Sequence, residues 1–387
     1  MKRVKISEVC IISNGYAFKS SKYVNDEGAR IIRITNVQKG KIEDNDPKLY
    51  PFEELEKLDS YKIFEGDILM SLTGNVGRVG KFPKKLLPAY INQRVCRVMP
   101  KNDSLDVNYL FHYLNSSIFE NEAINNSAGA AQLNLSSKWL ANHEIPLPPL
   151  EEQQAIAEKL DQAQKIIDLN EAEVARYDKL AQALFIDMFG DPVQNPKGWE
   201  MKKLGEVCDV SSGSTPSRSV SEYWDNGTIP WIKTGEVKGN VIYETEEKIT
   251  EMALKETSCK LYSKGSLLIA MYGQGKTRGN VAVMGIDATT NQACAVLSKN
   301  INLDVQYLLQ LLKLNYEDLR NLGRGGNQPN LNVGLIKNYQ IIYPPITLQN
   351  EFAKRIEQIE ILKNQAQQEL EQSKNLFQSL LQESFKG

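Results

Sequence analysis

Two stretches of the chain place apolar residues at alternating steps of four and three. In the first, Ile156, Leu160, Ala163, Ile167, Val174, Tyr177, Ala181, Leu184 and Met188 share one face, with Asn170 as a polar insertion. In the second, Phe352, Ile356, Ile359, Ala366, Leu370, Phe377 and Leu380 keep the register, interrupted by Lys363, Ser373 and Ser384. This is the seam of a heptad pattern, which predicts helices that each bury one side. Pro148-Pro149 blocks helix upstream of the first, Glu151 and Glu152 suit the positive end of its dipole, and Phe189-Gly190-Asp191-Pro192 closes it. Helices over 151–189 and 349–385 are expected, each roughly 57 Å long at ~1.5 Å per residue. A helix of that length cannot hide a one-sided seam against its own small lobe, so the two are expected to pair with each other, antiparallel.

Between these stretches the pattern changes to short apolar runs bounded by glycine. Residues 31–35, 67–72 and 94–99 read as strands, and 229–233, 267–271 and 294–297 repeat them. Val107, Leu110, Phe111 and Leu114 give one face of a short helix behind Asp106; Val305, Leu308, Leu309 and Leu312 do the same behind Asp304. Each lobe is therefore α+β.

The repetition extends along the whole chain at a period of about 198 residues. Glu8-Val9-Cys10 with Ser13 and Gly15 recurs as Glu206-Val207-Cys208 with Ser211 and Gly213. Gly66, Gly74, Asn92 and Gln93 answer to Gly265, Gly273, Asn291 and Gln292. Cys96-Arg97-Val98 is matched to Cys294-Ala295-Val296, Tyr109-Leu110 to Tyr307-Leu308, Leu133-Asn134-Leu135 to Leu331-Asn332-Val333, and Pro148-Pro149 to Pro344-Pro345. Matches in constant order imply a tandem duplication. The expected architecture is two duplicated α+β lobes, 1–150 and 191–346, separated by a pair of long antiparallel coiled-coil helices within 151–190 and 347–387, with pseudo-twofold symmetry.

Charge narrows the class of partner only slightly. The 387 residues carry 46 Lys plus Arg against 48 Asp plus Glu, and the lobes are net +3 and +1 while the helical tails are −5 and −1. Any nucleic acid must therefore be met by local patches. No apolar run approaches the ~20 residues that cross a bilayer, and residues 1–15 lack a secretory apolar core, so a cytoplasmic location is expected with no membrane partner. Five cysteines without a CxxC pair, and two histidines, offer no metal site. Cys10, Cys96, Cys208 and Cys294 sit in apolar runs as small buried hydrophobes.

Candidate catalytic motifs fail on their chemistry. Gly273-Gln274-Gly275-Lys276-Thr277 resembles the end of a phosphate-binding loop, but Ala270 stands where the first glycine belongs, and a turn and strand follow where a helix should begin. Tyr343-Pro344-Pro345-Ile346 lacks both the amide and the aromatic that hold a flipped adenine. His112 aligns with Gln310, and His143 has no counterpart. A duplicated chain without duplicated acid, base, nucleophile or metal ligand reads as a binder, with no catalytic residue and no cofactor of its own.

Basic and amide side chains on glycine-rich turns are the candidates for that binding: Arg78, Lys81, Asn92, Gln93 and Arg94 in the first lobe, Lys276, Arg278, Asn291 and Gln292 in the second, then Arg324, Asn327 and Gln328. Arg and Lys hold phosphate or reach guanine edges, and Asn and Gln can pair with adenine. The amides at 92, 93, 291 and 292 have a second use open to them, closing turns. Residues common to both lobes cannot tell two half-sites apart. Base reading is therefore expected in the diverging segments, 19–29 against 217–228, 81–90 against 281–290 and 121–131 against 319–329, which adds Lys19 and Arg218.

The layout of lobe, long helix, Phe189-Gly190-Asp191-Pro192 with Asn195-Pro196-Lys197-Gly198-Trp199, second lobe and second helix resembles the specificity (S) subunit of type I restriction-modification systems. So do Ser212-Gly213-Ser214-Thr215-Pro216 with Tyr223-Trp224 and Ile229-Pro230-Trp231-Ile232, Gly66-Asp67-Ile68-Leu69 with Gly77-Arg78-Val79-Gly80, and Pro148-Pro149-Leu150-Glu151-Glu152-Gln153. The resemblance covers the whole chain. It implies two target recognition domains, each reading one half of a bipartite double-stranded DNA site, and helices that set the gap and dock two methyltransferase subunits. It also implies a complex that methylates adenine with S-adenosylmethionine and, with restriction subunits, cuts DNA using ATP. In such a complex the partners would supply most of the phosphate grip that a near-neutral chain lacks. The second tail departs from the pattern at Pro344-Pro345-Ile346-Thr347-Leu348-Gln349 and at Lys363. A freestanding DNA-binding protein and a coiled-coil interaction scaffold are the alternative readings.

Overall fold

The computed structural model describes residues 2–129, 133–273, 275–323 and 330–386. The chain divides into two compact units, Met1–Glu171 with Gln368–Gly387 and Ala172–Gln367. In the first, a six-stranded mixed sheet runs in the order Cys10–Asn14, Val95–Pro100, Ile68–Ser71, Val79–Lys81, Gly40–Ile42, Val37–Gln38. A three-stranded sheet joins Leu49–Tyr50, Ala29–Ile32 and Ala89–Ile91, and Arg3–Lys5 pairs with Glu144–Pro146. The second unit repeats this with five strands (Val210–Ser212, Cys294–Leu297, Leu267–Ala270, Val281–Met284, Val241–Ile242), three strands (Glu247–Ile249, Ile229–Ile232, Thr289–Thr290) and the pair Met201–Lys203 with Gln340–Ile342.

The same local chemistry builds both. Asp106 accepts from the backbone N–H groups of Asn108 and Tyr109 at 2.9 and 2.8 Å, and Asp304 from those of Gln306 and Tyr307 at 2.8 and 2.9 Å, capping Val107–Leu114 and Val305–Leu314. Tyr109 Oη donates to the carbonyl of Pro146 at 3.0 Å, and Tyr307 Oη to that of Ile342 at 2.8 Å. Gly15 and Gly213 lie where strands cross the turn below: a Cβ on either would stand 2.1 Å from a carbonyl oxygen, of Asn92 or of Thr290. One pairing from the sequence shifts. The N–H of Cys294 closes its turn onto the carbonyl of Asn291, as Val95 does onto Asn92, so Cys294 corresponds to Val95 and not to Cys96. All five cysteines are buried thiols.

Two 40-residue helices, Leu150–Phe189 and Ile346–Phe385, are each shared between the units. The second starts three residues before the expected position because Pro344-Pro345 acts as Pro148-Pro149 does, ending the preceding extended segment. Within the first unit Ala157 and Leu160 share a core with Leu381 and Phe385, while Asn170 Nδ2 donates to Ser373 Oγ at 2.9 Å and Lys374 pairs with Glu171 at 3.0 Å. Within the second, Phe185 meets Phe352 at 5.5 Å and Lys363 pairs with Asp178 at 2.6 Å. Both pairings are antiparallel. Of the polar interruptions of the seam, Asn170 and Ser373 thus satisfy each other, and Lys363 is met by Asp178. Leu160, Ile167, Phe352, Ile356 and Leu370 are buried, and Ile156, Val174, Leu184 and Leu380 are half-buried.

Each helix is fastened to its lobe by a glutamine. Gln153 accepts from the Asp106 N–H at 2.9 Å and donates to the carbonyls of Ser104 and Pro148 at 3.0 and 2.9 Å; Gln349 accepts from the Asp304 N–H at 2.9 Å and donates to the carbonyl of Pro344 at 2.8 Å. Both side chains are fully buried. At the other end of the first helix, Gly190 N–H, Lys197 Nζ and Trp199 Nε1 occupy the carbonyls of Ile186, Asp187, Met188 and Phe189. These are the four acceptors that a helix terminus leaves open. Gln153→Ala and Gln349→Ala should each lower stability by about 2 kcal/mol or more, because buried donors and acceptors lose partners, while Gln154→Ala, on the exposed face, changes it by less than ~0.5 kcal/mol. Urea midpoints of the three variants test this.

Candidate nucleic-acid interface

The predicted contact residues fall into three groups. The first closes turns. Asn92 and Asn291 sit at the joint where the three-stranded sheet hands the chain to the larger one. Asn291 Oδ1 accepts from Thr234 Oγ1 at 2.9 Å and from the Ala293 N–H at 3.2 Å, and Asn92 Oδ1 from the Arg94 N–H at 3.4 Å. Gln292, though exposed, accepts from Thr215 Oγ1.

The second group is engaged with the protein's own side chains or, in Arg278, buried. Lys81 donates to Asn108 and lies 4.9 Å over the Phe111 ring. Burial pulls its ammonium below the ordinary lysine range, opposed by Asp161 and Asp106. Asn108 in turn donates to Asp161 at 3.0 Å, which also meets His112 at 2.7 Å, so these four tie sheet, short helix and long helix together in the first unit. Arg78 donates to Gln38 at 2.9 Å. Arg218 lies over Trp224, its Cζ 3.6 Å from the ring centre and 5.1 Å from that of Trp231, and is paired to Glu247. The hydrogen bond from Arg218 holds the Glu247 carboxyl below its usual range. Arg278 is 8% exposed, and its Nε has no hydrogen-bond partner among the described residues.

The third group consists of Lys19, Gln93, Arg94 and Lys276, whose side chains are exposed. Arg324, Asn327 and Gln328 lie outside the described residues. Residues that sequence reasoning missed include Tyr316 and Arg320, which grip the loop carrying Lys276 and Arg278. Their spacing of four in a short helix was the available signal.

Both histidines are buried. His143 Nε2 meets Tyr113 Oη at 2.8 Å, with Glu122 3.3 Å from Nδ1. Burial, helped by Arg3, pushes it down to about 4 and outweighs that carboxylate. No group of His, Cys, Asp and Glu among the described residues could hold a metal ion, and no described helix is long and apolar enough to cross a membrane.

Two outcomes are expected. Asn291→Ala should cost about 1 to 2 kcal/mol, as two satisfied partners lose their acceptor, whereas Gln93→Ala and Arg94→Ala stay within ~0.5 kcal/mol; thermal unfolding separates them. Because the folded pKa of His143 is depressed, the unfolded chain binds the extra proton between about 6.5 and about 4, so stability is complete above that window and falls as pH drops through it. Unfolding midpoints at pH 7 and 5 should show a smaller acid loss in His143→Gln than in the natural chain.

Comparison with known proteins gives a consistent picture. The family model described as the type I restriction modification DNA specificity domain matches twice, over residues 1–176 and 196–372. The specificity subunit of the type I restriction enzyme MjaIX from Methanocaldococcus jannaschii is 28% identical over 335 residues, covering 81% of this chain and 76% of its own length. That of EcoBI from Escherichia coli is 24% identical over 424 residues, covering 100% and 85%. Among solved structures, the S subunit of a type I restriction-modification system from M. genitalium superposes with a TM-score of 0.57 at 16% identity, covering 100% of this chain and 96% of that one. A chain from a structure of type I system assembly and conformational transition gives 0.59 at 19%, covering 100% and 97%.

Proposed function

Since this chain belongs to the type I restriction-modification DNA specificity family, we propose that it gives a type I complex its DNA sequence specificity, each lobe reading one half of a bipartite, asymmetric site. The observation that carries this is the double match of the specificity domain onto two units built on the same sheets, turns and caps. Two readers on one chain suit two half-sites. In this reading residues 1–150 and 191–346 are the target recognition domains, and 151–190 and 347–387 are the spacer helices that set the gap.

Two methyltransferase subunits are the proposed helix partners. Support comes from apolar side chains left in water on the helices: Ile166, Leu169 and Leu376 in the first unit, Leu180, Ile361 and Leu362 in the second. In this reading they are side chains that the methyltransferase subunits cover on binding. Adenine methylation, and cleavage with a restriction subunit, would be chemistry of those partners. In this reading Lys19, Gln93, Arg94 and Lys276, whose side chains are exposed, meet DNA directly, and Arg218 meets it once Glu247 is displaced.

The test is long-read methylation sequencing of cells expressing this chain with its methyltransferase, beside a variant whose residues 200–345 come from another specificity protein. The exchange begins after Trp199 to preserve the helix cap. An N6-methyladenine motif that changes in one half alone is expected. An unmethylated genome despite an assembled complex would overturn the reading and favour the scaffold.

A further inference from the structure

In the second unit, helix Val305–Leu314 gives two polar side chains to a cavity of about 420 Å³ where the lobe meets its helix pair. The long helices contribute Asp178 and Lys363 to its wall, and the lobe Lys238, Asn280, Gln310 and Lys313. Gln310 is only 4% exposed, yet neither its amide nor Lys313 Nζ has a hydrogen-bond partner among the described residues. Donors held inside a fold without a partner favour a ligand that brings an acceptor. Gly239, at a φ of +79°, closes its loop over the end of Lys313, where a Cβ would lie 3.2 Å from Cε. Burial pulls the Lys313 ammonium below the ordinary lysine range, opposed by Glu360 and Asp178 and helped by Lys363. Three lysines line the cavity against one carboxylate, and that carboxylate, Asp178, is held by Lys363 at 2.6 Å.

The first unit shows which group such a position takes. At the place of Gln310, six residues beyond the helix cap, His112 meets the carboxylate of Asp161 at 2.7 Å, and Asn108 on the same helix donates to it at 3.0 Å. In the second unit no acidic side chain bonds Gln310 among the described residues. A carboxylate therefore suits the donors, and here it has to come from outside the chain. A duplex phosphate, with a sugar on either side, has no stem on which to reach a side chain as enclosed as Gln310. An aspartate or glutamate has one. Leu180, Ile361 and Leu362 are exposed within two residues of Asp178 or Lys363, so a protein that covers them brings its own side chains to the edge of the cavity.

We propose that this cavity receives a carboxylate side chain of a methyltransferase subunit, bound by Lys313 and Gln310 inside it and by the exposed Lys238 at its rim. The proposal rests on the specificity-subunit reading, which supplies the partner. It makes docking on the second unit depend on one acid as well as on apolar contact.

The test titrates the full chain with its methyltransferase and follows the two binding steps by calorimetry. Lys313→Gln should weaken one step by about tenfold or more, and Lys238→Gln, a change at the surface that leaves the fold intact, should weaken the same step several-fold. The methylation motif in cells should stay the same in both. Neutralising the surface acids of the methyltransferase one at a time should find a position that weakens assembly with the natural chain and has little further effect with Lys313→Gln, as a direct pair does in a double-mutant cycle. Unchanged assembly in both lysine variants, or a loss that couples to no acidic position, overturns the proposal. So does a loss confined to DNA affinity with a shallower salt dependence, which would give the lysines to a phosphate. A natural chain that binds no methyltransferase at all would instead sink the partner assignment of the specificity-subunit reading, so the two failures are distinct.

Discussion

An apolar seam on a 40-residue helix must be covered along its whole length, and neither lobe is large enough to cover one alone. In each unit the solution is the same: half of one long helix and half of the other close on the lobe together. Tyr109 in the first unit packs on Phe385 at 5.3 Å, and Tyr307 in the second on Phe189 at 4.9 Å. Each lobe core therefore includes side chains from both helices, and folding of a lobe is coupled to formation of its helix pair.

This coupling gives the seam's polar positions a purpose. Asn170 and Ser373 meet each other, and Lys363 meets Asp178, so the interruptions favour the observed register. The departure of the second tail from the first at Lys363 is thus compensated locally. The glutamine about four turns back along the same helix, Gln349, is unchanged, and it does in the second unit what Gln153 does in the first.

Much of this was legible in the sequence because it rests on periodic or local signals. The seam, the caps at Asp106 and Asp304, the closure at Gly190 and the duplication depend on spacing and on residues with few conformational options. What escaped depends on which atoms meet across long sequence distances. Gln153 reads as an ordinary polar residue in a first helical turn until the carbonyl of Ser104 and the N–H of Asp106 are placed beside it. The one-residue shift of Cys294 is hidden in the sequence because cysteine recurs near the same offset while the register follows the turns at Asn92 and Asn291. Lys81 and Asn291 have the chemistry of DNA contacts and are also engaged within the fold, and Arg320 is hard to single out in the sequence because its partners are backbone oxygens. Turn chemistry and reading chemistry use the same side chains, so only geometry separates them.

That the glutamine lock grips main-chain atoms has a consequence beyond stability. Its partners are an N–H and carbonyl oxygens, groups that every sequence possesses, held in place by a turn and an aspartate cap. The joint between helix and lobe is therefore indifferent to the identity of the side chains elsewhere in the lobe. Loops can drift, lengthen or be traded wholesale while the seat stays fixed. A chain with two such interchangeable seats can acquire new recognition by substitution of one module at a time, without renegotiating the frame that carries it.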